Sequence, residues 1–164
     1  MLTFRKATVG DIPTLQQLAH LIWHSHYPGI ISEEQIKYML GLMYSANVIH
    51  EEISTGHTWI LLQYEEQPIG LASFHPEPET ESVKLNKLYL LPDYHGKGYG
   101  QKILSYIIDC SRNLNTKKLY LTVNKNNTKA INAYIRAGFF KESEVVTDIG
   151  NGYVMDDFVM AYNL

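Results

Sequence analysis

In the stretch PDYHGKGYGQKIL, Pro92 to Leu104, three glycines stand at alternate positions, Gly96, Gly98 and Gly100, and an apolar, helix-like run follows at once. The first N–H groups of a helix lack carbonyl partners and lie at the positive end of its dipole, so they favour an anion. Residues without a Cβ let that anion approach the backbone. The chemistry these residues could do is phosphate contact; a glycine-rich turn with no chemical role is the competing explanation. Known nucleotide loops do not match. The spacing is G-x-G-x-G rather than G-x-G-x-x-G, the loop follows the fourth strand-like run rather than the first, and Lys97 does not close a Walker motif.

Imidazoles form a second set of candidates. His24 and His26 in WHSHY, and His75 in ASFHP, could exchange a proton near neutral pH. Exposed or core-satisfied rings are the bland alternative for each. Neither a His-x-x-x-His pair nor an H-E-x-x-H motif is picked out, and His24 and His26 diverge on a helix, so no metal site is expected.

The elements that must position these groups follow from periodicity. LTFRKAT alternates as a strand, and Asp11 is a candidate N-cap for a helix carrying Ile12, Leu15, Leu18, Ile22 and Trp23 on one stripe. Pro28-Gly29 breaks it. Ser32 and Gln35 have capping-box spacing ahead of a second helix with Ile36, Met39, Leu40 and Met43, and NVIHEEI adds a turn or two. TWILLQY and PIGLASF read as a hairpin, PEPETES as an acidic loop, and VKLNKLYLL as the strand leading into the glycines. The helix GQKILSYIIDCSRNL, the strand KKLYLTV and the helix NTKAINAYIRA, closed by Gly138, come next; FFKESEVVTD and YVMDDFVMAY flank an Asn151-Gly152 turn. The order β-α-α-β-β-β-α-β-α-β-β points to one mixed sheet with helices on its faces.

Composition limits the function classes. The 164 residues suit one domain spanning the chain, and a net charge of -3 with no basic run of five argues against a nucleic-acid partner. Cys110 is the single cysteine, the N-terminus lacks a signal-peptide pattern, and no apolar run spans a membrane. A cytoplasmic protein with no membrane partner is expected.

LYLLPDYHGKGYGQKIL followed by LYLTVNKNNTKAINAYIRAGF resembles the acetyl-CoA-binding half of the GNAT superfamily of N-acetyltransferases, over residues 84 to 140. The resemblance implies an α/β (α+β) fold, a single mixed, mostly antiparallel sheet of about seven strands with about four helices on its faces. It implies acetyl-CoA as cosubstrate with no metal, a small-molecule amine as acceptor, and leaves a homodimer open. The family's pyrophosphate loop reads Gln/Arg-x-x-Gly-x-Gly/Ala; here Gly98 and Gly100 match, while His95 departs from Gln or Arg. By resemblance, His95, Gly96, Lys97, Gly98, Tyr99, Gly100 and Gln101 cradle the pyrophosphate. Leu88, Tyr89 and Leu90 offer backbone to the pantetheine arm as an added strand would, and Asn124 and Asn127 help hold the cofactor. Tyr134, seven residues after Asn127 and so on the same helix face, matches the tyrosine beside the thioester sulfur. A phenol of pKa about 10 can protonate a leaving thiolate of about 8.5. The alternative makes Tyr134 a core aromatic on the stripe Ile131, Tyr134, Ile135.

On the acceptor side, the family resemblance places the region of His24 and His26 beside the cleft, and His75 ends the third strand. The C-terminal DIGNGYVMDDFVMAY resembles the last hairpin of bacterial spermine and spermidine acetyltransferases, which makes a polyamine the leading acceptor. Strand alternation puts Asp156 and Asp157 on opposite faces, so at most one lines a cleft. Two other functions fit the same residues: acetylation of a peptide or protein amine, and a non-catalytic acyl-CoA-binding domain.

Overall fold

The computed structural model describes all residues, Met1–Leu164. Seven strands form one sheet in the order β1-β2-β3-β4-β5-β7-β6, with β1 (Leu2–Lys6), β2 (Thr58–Tyr64), β3 (Gln67–Glu77), β4 (Ser82–Leu90), β5 (Lys118–Asn124), β6 (Phe140–Gly150) and β7 (Tyr153–Asn163). The helices are α1 (Ile12–His26), α2 (Glu33–Tyr44), α3 (Ala46–Ser54), α4 (Tyr99–Arg112) and α5 (Thr128–Arg136). Contacts divide the chain into two compact units, Met1–His75 with Asn86–Ile103, and Pro76–Leu85 with Leu104–Leu164.

In the first unit β1, β2 and β3 pair antiparallel. Trp59, Leu61, Leu15, Ile22, Ile36, Met39 and Ile49 are buried there, each apolar side chain contributing about 1.5–3 kcal/mol. Ser32 caps α2 by accepting from Gln35 N–H at 3.1 Å, and Ser45 caps α3 by accepting from Val48 N–H at 3.3 Å. The turn or two after residue 46 is thus a nine-residue helix of its own. At α1 the expected cap is different. Thr8 precedes a 3-10 turn over Val9–Asp11, and Asp11 reaches back to accept from Thr8 N–H at 2.8 Å and from both Arg5 guanidinium nitrogens at 2.9 and 3.0 Å. Asp11 ties β1 to the start of α1 instead of capping the helix with its side chain.

In the second unit β5 runs parallel to β4 over Ser82–Lys84 and antiparallel to β7, and β6 closes the edge on β7. Leu119, Leu121, Ile107 and Met160 form its core. The Asn151-Gly152 turn has φ of 54° and 77°, the left-handed pair a tight hairpin needs. The acidic loop is shorter than expected, because β3 continues through Glu77 and β4 begins at Ser82, leaving a 3-10 turn over Pro78–Thr80 and Glu81. Two of its carboxylates are engaged. Tyr120 donates its hydroxyl to Glu77 at 2.8 and 2.9 Å, and Lys117 Nζ meets Glu81 at 2.6 Å.

Candidate functional site

The glycine turn, Gly96 to Gly100, lies in the first unit. β4 ends at Leu90, a 3-10 turn spans Pro92–Tyr94, and the chain enters α4 through Gly96 and Gly98 at φ of 74° and 79°. Only glycine adopts that conformation without strain. The space where Cβ atoms of Gly96, Gly98 and Gly100 would stand is open, with nothing within 4 Å. Lys102 N–H donates to Gly98 C=O at 3.2 Å, so the helical ladder starts there and the N–H groups of Tyr99 and Gly100 precede any carbonyl they could reach. A bare turn with left-handed glycines, open space and unladdered N–H groups fits a phosphate by the chemistry of its donors.

The side chains around this turn have jobs in the fold. His95 Nε2 donates to Leu90 C=O at 3.0 Å, which ties the loop to the end of β4. Lys97 lies 5.2 Å from the Tyr94 ring centre and Lys102 6.0 Å from that of Tyr99, with Tyr64, Tyr94 and Tyr99 packed at 5.8–6.4 Å. Gly70, inside β3, is a position sequence reasoning missed. A Cβ there would stand 2.5 Å from Tyr89 C=O and 2.8 Å from Leu90 Cδ2, so its bareness sets how closely β3 packs on the stretch Leu88–Leu90. A glycine within a strand pattern was the available signal.

The three candidate histidines fall in the same unit but do not converge on one point. His24 Nδ1 donates to His20 C=O at 2.9 Å, and the two rings lie 4.3 Å apart, tilted by 41°. His20 and His24 stand four apart on α1, a spacing that sequence reading passed over; no three His, Cys, Asp or Glu side chains gather as a metal ion would need. His26 packs edge-on against Tyr27 at 4.9 Å, and Tyr27 and Tyr89 share a hydroxyl hydrogen bond of 2.9 Å. His75 stacks on His57 at 4.2 Å and lies 2.8 Å from Asn86 Nδ2. Lys87 was unforeseen. Buried, it sits 4.9 Å from the Trp59 ring centre, 5.3 Å from that of Tyr44 and 3.9 Å from Glu52, which also accepts from Trp59 Nε1 at 3.1 Å.

In the second unit, Asn124 ends β5 and Asn127 opens α5. Asn124 Oδ1 accepts from Asn126 N–H at 2.9 Å, while Asn127 caps α5 by accepting from Ala130 N–H at 3.4 Å and donates its own N–H to Asn124 C=O at 2.9 Å. Tyr134 is half-buried, edge-on to Phe139 at 5.6 Å, and burial pushes its phenol up to about 12. Ile135 is 54 % exposed, so the stripe Ile131, Tyr134, Ile135 is not a continuous core face. The alternation on β7 holds. Asp156 is exposed and paired with Lys125 at 2.9 Å, whereas Asp157 is buried and burial raises it to about 6.

A mixed seven-stranded sheet whose fourth strand runs through a bare glycine turn into a helix offers backbone donors to a phosphate-bearing cosubstrate. A profile of the Acetyltransferase (GNAT) family matches residues 15–139, and the chain belongs to that family. It is an N-acetyltransferase with acetyl-CoA as its donor. Among its relatives, spermine/spermidine N(1)-acetyltransferase of Bacillus subtilis is 30% identical over 118 residues, 66% of this chain and 75% of that protein. Spermidine N(1)-acetyltransferase of Thermoplasma acidophilum is 26% identical over 157 residues, 93% and 94% of the two chains. The solved structure of the PaiA N-acetyltransferase from Thermoplasma acidophilum in complex with coenzyme A superposes with a TM-score of 0.86 at 24% identity, covering 100% of this chain and 99% of that one. No helix is long and apolar enough to cross a membrane.

Proposed function

We propose that this acetyltransferase works in the cytoplasm on a small cationic amine of the polyamine class, by direct attack of the amine on the acetyl group. The observation that carries the acceptor class is the 30% identity to a relative named for spermine and spermidine, reaching across three quarters of that protein. Backbone N–H groups of the loop from Gly96 to Gln101 take the pyrophosphate, supported by the two left-handed glycines and the open space beside them. Leu88, Tyr89 and Leu90 lie beyond the three residues through which β4 pairs with β5, and they offer their backbone to the pantetheine arm. Asn124 and Asn127 orient the cofactor at the start of α5 while keeping that turn folded.

Tyr134 is the proton donor to the departing sulfur. Its raised phenol stays protonated at every working pH, so the donor form is always present. Full transfer from about 12 to a thiolate near 8.5 is uphill by about 5 kcal/mol, so the phenol hydrogen-bonds to the sulfur and gives up its proton as basicity builds there. The test is coenzyme A release with a panel of spermine, spermidine, diamines, neutral amino-acid amines and peptides. Turnover confined to polyamines is the expected result. Faster turnover of peptide amines would replace the acceptor class, and binding of acetyl-CoA with no turnover on any amine would leave a binding domain.

A further inference from the structure

Asp157 is the only carboxylate-bearing residue among the buried ones, at 3 % exposure, and its Oδ1 has no hydrogen-bond partner. A buried carboxylate with one oxygen left without a partner is expensive to keep in a fold, and functional sites are where such groups cluster. Its place fits a use. In the β5–β7 register Asp157 lies opposite Asn124, whose C=O accepts from Asn127 N–H at the start of α5. Tyr134 follows on that helix, about 10 Å along its axis from Asn127. Asp157 therefore belongs to the end of this unit where β5 gives way to the helix bearing the proposed proton donor.

The charges around it leave it available. Asp156 is taken by Lys125. Burial first, then Asp156 on its own strand, raise the proton affinity of Asp157; Lys84 on β4, the Thr122 hydroxyl on β5 and Lys125 just past β5 oppose them. The result, about 6, keeps the group ionised at neutral pH yet ready to accept a proton. The three acids of β6 are occupied elsewhere: Glu142 is paired to Lys118 at 3.0 Å, Glu144 to Lys125 at 3.3 Å, and Asp148 accepts from Gly150 N–H at 2.8 Å.

We propose that Asp157 is the carboxylate that receives the acceptor's ammonium group and removes its proton. The proposal rests on the acetyltransferase function above. The ammonium gives one proton to Oδ1, leaving a neutral amine and a protonated carboxyl; a buried site favours that neutral pair over two bare charges. The amine lone pair then forms the C–N bond to the acetyl carbon, the C–S bond breaks with its electron pair on sulfur, and Tyr134 supplies the proton that makes the thiol. The nitrogen loses its second proton to solvent, which also takes the proton from Asp157 and restores Tyr134, so one proton is released per acetyl transferred.

Three measurements on wild type and Asp157→Asn decide it: coenzyme A release with spermidine from about pH 5 to about pH 9, acetyl-CoA affinity by calorimetry, and thermal melting. Wild-type kcat/KM should rise through a limb near 6, where the carboxyl loses its proton. Asp157→Asn should lose that limb and roughly 10² to 10⁴-fold in kcat, with acetyl-CoA affinity and melting kept, and Asp157→Glu should recover part of the rate. A substituted enzyme with wild-type kcat and an unchanged limb overturns the proposal, as does lowered melting with the limb intact, the mark of a structural role. Wild type inactive on every amine would instead sink the acetyltransferase function. In that case, a carbon-13 NMR titration of Asp157 with spermidine alone still decides: an unmoved carboxyl titration overturns its contact with the ammonium.

Discussion

Tyr134→Phe removes one proton and keeps the ring that packs on Phe139, so it separates chemistry from packing at a single atom. Turnover should fall roughly 10² to 10⁴-fold, acetyl-CoA affinity should hold, and the loss should be uniform with pH, because a phenol raised to about 12 does not titrate in the working range. Steady-state kinetics alongside calorimetry checks it; wild-type activity at every pH would reduce the tyrosine to packing. At this scale the sequence was legible where backbone or a marked motif does the work. The glycines could be picked out because left-handed turns demand them; Tyr134 stood out only through the family resemblance, its spacing from Asn127 giving no more than a shared helix face. Lys87 could not, and Asp157 only in part: alternation set it on the opposite face from Asp156 without telling which of the two is inside. A lone lysine within a strand reads as solvent-facing, and only the packing of Trp59 and Tyr44 on Lys87, and the burial of Asp157, reveal which side chains are held inside.

The elements set these atoms in place, and two junctions can be tested apart from catalysis. At the start of α4, Gly98 needs its left-handed φ whereas Gly100 sits in ordinary backbone with open space beside it. Gly98→Val should therefore cost both folding stability and acetyl-CoA affinity. Gly100→Val should leave melting nearly unchanged and weaken acetyl-CoA by tenfold or more through bulk alone, on the order of 1.4 kcal/mol, as read by calorimetry. Wild-type affinity in the Gly100 protein would remove the loop from the phosphate's path. At the start of α1, hydrogen bonds from Arg5 hold Asp11 down at about 2, below its ordinary 3.8. A lowered carboxyl stabilises the fold above its unfolded value and stops doing so as pH falls through the folded one. Asp11→Asn should thus cost about 1 kcal/mol at neutral pH, discounted because Arg5 is half-exposed, and the gap from wild type should close between about pH 4 and pH 2 in denaturant titrations. The sequence pointed to Asp11 as the N-cap of α1, and Asp11 holds that position; what it could not show is that the side chain turns back to Thr8 and Arg5, since a cap and a capping-box acid look alike until the preceding 3-10 turn is seen.

Across the whole chain the question is what draws the acceptor, and the charge distribution gives a narrower answer than composition does. A net charge of -3 would attract a polycation weakly from any side. Glu77 is bound by Tyr120, Glu81 by Lys117, Glu142 by Lys118 and Glu144 by Lys125, so their charges are largely spent within the fold. Glu33 and Glu34 occupy the first turn of α2, where they also offset the helix dipole. Exposed carboxylates act over a screening length of about 8 Å at physiological salt, so their effect belongs to capture and not to the chemical step. Raising salt should increase KM for spermidine a few-fold and leave kcat unchanged, and Glu33→Gln with Glu34→Gln should blunt that salt dependence. Asp157, buried and less screened, should keep its effect on kcat at high salt. If KM for spermidine is indifferent to salt while neutral amines compete well, attraction of a cation plays no part in acceptor choice, and the polyamine assignment falls while the acetyl-transfer chemistry stands.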